Sequence, residues 1–247
     1  VYKRQAFIRS AANSSDLAEM RSTHSWIYRF GCDRAMAPLA NSSKHLMELT
    51  DAQRPLVLVH GLLDTPRLFS RLERRLESHP RPVLSPHLPH RFGATPLRVL
   101  AKQLDELIQD HWGAETPLDL LGFSMGGVIA RIWLQELGGA KRTHRFLSVG
   151  SPQRGTLTAQ CIPSWLFAGL ADMKRGSPLL NLLNRDSAKL QQVDCISFFC
   201  RWDLMVFPGW QAVLPIGRVQ EVPVFTHQQL MSQPRSLDLL TESLLID

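Results

Sequence analysis

The chain has 247 residues, 44% of them hydrophobic and 20% charged, ordinary globular values that exclude wholesale disorder. This length supports one sizeable core, so a single domain of α/β type is expected. The net charge of +6 comes from arginines scattered rather than clustered with aromatics, which points to a solvated basic surface and away from nucleic-acid recognition.

Residues 1–52 mix Arg, Ser, Asn and Ala without sustained periodicity and read as a poorly defined N-terminal extension with no chemistry of its own. The chain shows neither a basic-then-apolar leader nor a run near the ~20 apolar residues that span a bilayer. A cytoplasmic location is the expectation. The four cysteines, Cys32, Cys161, Cys195 and Cys200, form no C-x-x-C pair and are expected as reduced thiols.

Organisation begins at Pro55. Leu56-Val57-Leu58-Val59 is a short apolar run of the kind found in buried parallel strands. Asp64-Thr65-Pro66 reads as a helix start with Asp64 as its cap, and Leu68, Phe69, Leu72 and Leu76 follow at helical spacing. A second strand is expected at Arg81–Leu84 and a helix through Leu97–Ile108. The run Leu118–Leu121 is the expected central strand. Further strands are expected at Arg145–Gly150, Cys195–Cys200 and Val219–Val224, with a closing helix over Leu237–Leu245. Strands alternating with helices specify a mostly parallel sheet covered on both faces.

The central strand runs directly into Gly122-Phe123-Ser124-Met125-Gly126, and a helical pattern follows. In that context G-x-S-x-G means a sharp turn that exposes a serine hydroxyl at the strand's C-terminal end. The hydroxyl needs a base, and the base needs an acid to hold its tautomer. With the order Ser, acid, His, only His144 and His227 qualify as the base, and His144 lies at the wrong end of a strand. His227 follows the last strand and is the candidate; an ordinary loop histidine is the alternative. Asp203, at the end of an apolar strand, is the candidate acid, with turn-capping as its alternative. The oxyanion donors are expected to be the backbone N–H groups of Met125 and Leu62. His60 is expected to support the loop that carries Leu62.

Pro55-Leu-Val-Leu-Val-His-Gly61, Leu118-Asp-Leu-Leu-Gly-Phe-Ser-Met-Gly-Gly127, Ser151-Pro-Gln-Arg-Gly-Thr156 and the later Asp203 and His227 together resemble the lipase branch of the α/β-hydrolase family, in particular small bacterial triacylglycerol lipase-like proteins. The resemblance covers residues 53–247. It implies an α/β-hydrolase fold and hydrolysis of carboxylic esters through an acyl-enzyme, with Ser124, His227 and Asp203 as the triad. No cofactor or metal is implied. The expected partner is an acyl ester or lipid, with transient contact to a lipid surface. A thioesterase or acyltransferase on the same triad is the alternative, and a non-catalytic acyl-binding relative a third. Residues 156–190 are expected as a small cap in which Trp165 and Phe167 line the acyl pocket or face lipid, ordinary packing being the other reading. Trp202, Phe207 and Trp210, around Asp203, are expected to pack.

Overall fold

Six short segments become strands in a computed structural model that describes residues 54–245. The expected extension over residues 1–52 lies outside the described residues. The strands are β1 (Leu56–Val59), β2 (Val83–Leu84), β3 (Leu118–Phe123), β4 (Thr143–Val149), β5 (Asp194–Phe199) and β6 (Arg218–Glu221). They pair in the order β2-β1-β3-β4-β5-β6, and every pair is parallel. Parallel neighbours require long crossovers, and helices supply them: α1 (Ser70–Leu76), α2 (Leu97–Trp112), α3 (Met125–Glu136), α4 (Ala168–Asp172), α5 (Pro178–Arg185) and α6 (Pro234–Leu245).

Strand alternation divides the core in two. Val57, Val59, Leu118 and Leu120 face one cluster, which also takes Leu100 and Leu104 of α2 and Val128 and Ile132 of α3. Leu56, Leu58, Leu121 and Phe123 face the other, against Leu72 of α1 and Leu240 of α6. Cys195 lies in the first cluster and Cys200 in the second, so the two thiols sit on opposite faces of the sheet. Each fully buried Leu or Val contributes about 1.5–3 kcal/mol, and both faces of the sheet are covered. Among the described residues no helix is long and apolar enough to cross a membrane.

Two expected elements differ. The segment after Asp64 opens as a 3-10 turn (Pro66–Phe69) with Thr65, not Asp64, at the cap position, and no side chain caps it. The last strand stops at Glu221: Val222 N–H still donates to Phe199 O, but Pro223 has no N–H to continue the ladder.

The strand order reverses once. The chain moves from β1 to β2 at one edge, then returns to β3 on the other side of β1. At such a switch point the loops leaving adjacent strands diverge and open a crevice at their C-terminal ends. Here those loops are Gly61–Asp64 after β1 and the turn at Ser124 after β3.

Candidate active site

Ser124 stands between β3 and α3 with φ 54° and ψ −127°, a left-handed conformation that costs a non-glycine residue about 1–3 kcal/mol. Close packing holds it there. Its N–H donates to Val149 O on β4 at 2.9 Å. A Cβ on Gly126 would sit 2.1 Å from Val59 O, so only glycine lets α3 meet β1 backbone to backbone. The strain lifts the hydroxyl out of the turn, into the crevice above the sheet.

Asp203 follows β5 and is 1% exposed. Its Oδ1 accepts from the N–H groups of Met205 and Val206 at 2.8 and 2.9 Å. Its Oδ2 faces His227 Nδ1 at 2.6 Å. The loop that carries it is tied to the segment after β4: Thr158 Oγ1 donates to Met205 O at 2.6 Å, and Phe207 N–H donates to Thr156 Oγ1 at 3.0 Å. His227 lies after β6, in a short 3-10 turn (His227–Met231) opened by a capping box of Thr226 and Gln229. Its ring lies tilted against that of Phe123, with centroids 4.7 Å apart. Its Nε2 is buried with no hydrogen-bond partner among the described residues.

Ser124 and His227 thus line the same cavity, while Asp203 holds His227 from behind. An imidazole fixed through Nδ1 by a buried carboxylate keeps its other nitrogen free to accept a proton. Gly150, at the end of β4, makes room for it: a Cβ there would lie 3.1 Å from His227 Cε1 and 2.7 Å from Leu230 Cδ1, at φ 54°. Gly150→Ala is therefore expected to displace the ring and lower kcat about 10²-fold. Steady-state kinetics beside a melting curve would check this, and an unchanged kcat would refute the packing argument.

The cavity has a volume of about 200 Å³. Ile162, Leu170, Met173 and Val206 give it an apolar side, and Leu62 and Asp64 border it from the β1 loop. The Leu62 N–H belongs to the loop that borders the cavity, and the Met125 N–H to the first residue of α3, directly after Ser124. Neither N–H is taken up by a hydrogen bond to another described residue. His60, 1% exposed, sets that loop: Nδ1 donates to Gly61 O at 3.0 Å while Nε2 accepts from Leu88 N–H at 3.2 Å. Burial lowers its pKa, and these contacts fit only the neutral ring. A larger hollow of about 520 Å³ at the opposite end of the strands, bordered by Asp105, Glu115 and Arg142, holds none of these residues.

The sequence misplaces several side chains. Asp64 lines the cavity beside Ser124 and His227. Trp165 is 86% exposed and Phe167 half-buried, and neither borders the cavity. Ala159, Ile162, Leu170 and Met173 of the expected cap do border it, but Leu179, Leu180 and Leu183 of α5 join the core against α3. Trp202, Phe207 and Trp210 do not pack inside; all three are exposed. With Leu63, Leu204 and Phe225 they stand in the loops at the C-terminal ends of the strands. Trp202, Phe207 and Trp210 read as packing residues because composition alone does not tell a core from an apolar rim.

Arg131 and Gln153 form a buried polar cluster behind the site. Arg131 of α3 is fully buried and donates to Gln135 Oε1, Gln153 O, Leu183 O and Asn184 Oδ1, without a carboxylate. Gln153 is equally buried and donates to Ser148 Oγ at 2.9 Å and Gly127 O at 3.2 Å. Together they lock the helix behind Ser124 to the loop after β4. The apolar character of α3 on all sides was the available signal: any arginine in such a helix must be buried.

Solved structures share this fold. A lipase of Bacillus licheniformis in its mature form superposes with a TM-score of 0.64 at 14% identity, covering 81% of this chain and 96% of that one. In its propeptide form the same lipase is spanned over about half its length, 52%. Lipase B of Aspergillus fumigatus gives 0.65 at 16% identity over 80% of this chain and 54% of that one. An α/β-hydrolase from a lagoon-sediment metagenome of Mar Chica, Morocco, gives 0.59 at 20% identity, covering 77% and 90%. No curated protein matches the sequence significantly. The palmitoyl protein thioesterase family matches residues 55–194, more than half of the chain and all of its first four strands. By that match and by its parallel sheet, the chain belongs to the palmitoyl protein thioesterase family of α/β-hydrolases.

Proposed function

We propose that the protein is a serine hydrolase that releases an acyl chain from a carboxylic ester through an acyl-enzyme. The observation that carries this reading is the His227 ring, held through Nδ1 by buried Asp203 at 2.6 Å, with Nε2 unpartnered in the cavity that Ser124 enters. In the first step His227 Nε2 takes the proton of Ser124 Oγ as Oγ bonds to the acyl carbon. The tetrahedral oxyanion is met by the Leu62 and Met125 N–H groups. The bond to the leaving group then breaks, and His227 returns the proton to it. Water repeats the sequence and frees the acid.

The apolar side of the cavity suits an acyl chain. The exposed aromatic rim favours transient contact with a lipid surface. A second reading, thioester hydrolysis, is favoured by the family match, since an acyl thioester needs the same three residues and only a different leaving atom. Neither reaction calls for a cofactor or metal, since the three side chains and water carry each step.

Matched p-nitrophenyl esters and acyl thioesters of short, medium and long chains test this directly. The folded protein is expected to turn over at least one series, and Ser124→Ala to lose about 10⁶-fold in kcat. Activity that survives Ser124→Ala would refute the mechanism. The ratio of thioester to ester turnover decides between the two readings.

A further inference from the structure

One carboxylate in the cavity has no place in that mechanism. Asp64 lies four residues after the histidine that fixes the β1 loop, and its backbone N–H folds back to Gly61 O. A Cβ built on Gly61 would lie 2.9 Å from Asp64 Oδ2 and 2.8 Å from Ser124 Cβ, so the carboxylate and the serine flank the same glycine. Both border the cavity, as does His227. Among the described residues the Asp64 carboxylate makes no hydrogen bond or ion pair. Burial holds its carboxyl above the usual carboxylate range, and only the charge of His227 pulls it back.

A half-buried, unpaired carboxylate is costly, and the fold offers it no structural job: it caps no helix. Its position relative to His227 gives it one. In the proposed reaction His227 delivers its proton to the leaving group, so the alcohol or thiol departs on the side of the imidazole. The acyl chain takes the apolar side formed by Ile162, Leu170 and Met173.

Resting on that reading, we propose that Asp64 is a specificity-determining residue that faces the leaving group and selects alcohols or thiols carrying a positive charge or a hydroxyl donor over anionic ones. The carboxylate attracts a cation by charge, accepts a hydrogen bond from a hydroxyl, and repels a carboxylate or phosphate.

Three octanoyl thioesters that differ only in leaving group test it: thiocholine (cationic), mercaptoethanol (hydroxyl-bearing) and mercaptopropionate (anionic), with the released thiol read by a chromogenic disulfide. For the native protein kcat/KM should fall from the first two to the third by roughly 10- to 100-fold, the range of one hydrogen bond to a charged group. In Asp64→Asn that ratio should collapse to within about threefold by the same scale. The preference belongs to acylation alone, because all three substrates give the same acyl-enzyme and so share one deacylation rate as an internal reference. A native protein that hydrolyses all three without preference, or a ratio unchanged in Asp64→Asn, overturns the inference and leaves the hydrolase reading standing. No turnover of any of them, nor of the p-nitrophenyl esters, overturns both.

Folding of the variant is expected to hold. An acid whose pKa is raised by folding is destabilising once the pH exceeds its unfolded value near 3.8, so Asp64→Asn should keep or raise Tm at neutral pH. A merely structural Asp64 would lower it.

Discussion

Asp203→Asn is expected to reduce kcat/KM roughly 10⁴-fold while leaving the protein folded. The asparagine keeps one oxygen for the Met205 and Val206 N–H groups, so the loop after β5 retains its shape. Its amide nitrogen then faces His227 Nδ1, where a carboxylate oxygen had been at 2.6 Å. A donor in that place forces Nδ1 to accept, and the ring's proton moves to Nε2. The nitrogen that must take the proton of Ser124 is then blocked, and the imidazolium loses its counter-charge. Kinetics on the ester that the native protein prefers, with a melting curve to show folding, measure this. A loss of less than about tenfold would mean that the Asp203–His227 contact is a structural pair and does not orient a catalytic base.

The largest structural effect is expected at Arg131. Truncating Arg131→Ala should destabilise the protein by about 3–5 kcal/mol, because Gln135 Oε1, Gln153 O and Asn184 Oδ1 lose this donor together and Leu183 O keeps only Gln135 Nε2. For a domain of this size that corresponds to a Tm fall on the order of 10 °C. Arg131→Lys should recover only part of it, since a point ammonium cannot reproduce a planar fork of donors. Burial lowers the guanidinium pKa to about 10, so it stays protonated near neutrality and adds no pH dependence to stability there. Thermal or urea unfolding of the three proteins is the check. A Tm for Arg131→Ala within about 2 °C of native would show that these bonds contribute little.

Both effects start from features of unequal visibility in the sequence. The sheet was legible because β1, β3, β4 and β5 are apolar on both faces, a signal that needs no partner to be read. Ser124, His227 and Asp203 were legible for a different reason: a glycine-flanked turn and the order of the chain leave few alternatives. Asp64 was misread because Asp-Thr-Pro matches a helix start, and only the three-dimensional return of the loop to Gly61 turns the carboxylate toward Ser124. Beyond local contacts to Gln135 and Ser148, Arg131 and Gln153 depend on partners 22 to 53 residues away, which no local pattern encodes. The exposed Trp202 and Trp210 carry the same letters as core residues, and exposure is decided by where their loop runs.

In the proposed reaction Ser124 is a nucleophile activated by His227. Labelling with a fluorophosphonate, followed by intact mass and peptide mapping, tests it most directly because the reagent needs an activated hydroxyl but no knowledge of the natural substrate. One adduct per chain is expected, on the peptide bearing Ser124, absent in Ser124→Ala and strongly slowed in His227→Ala. A folded protein that takes up no label, or takes it on another residue, would contradict it.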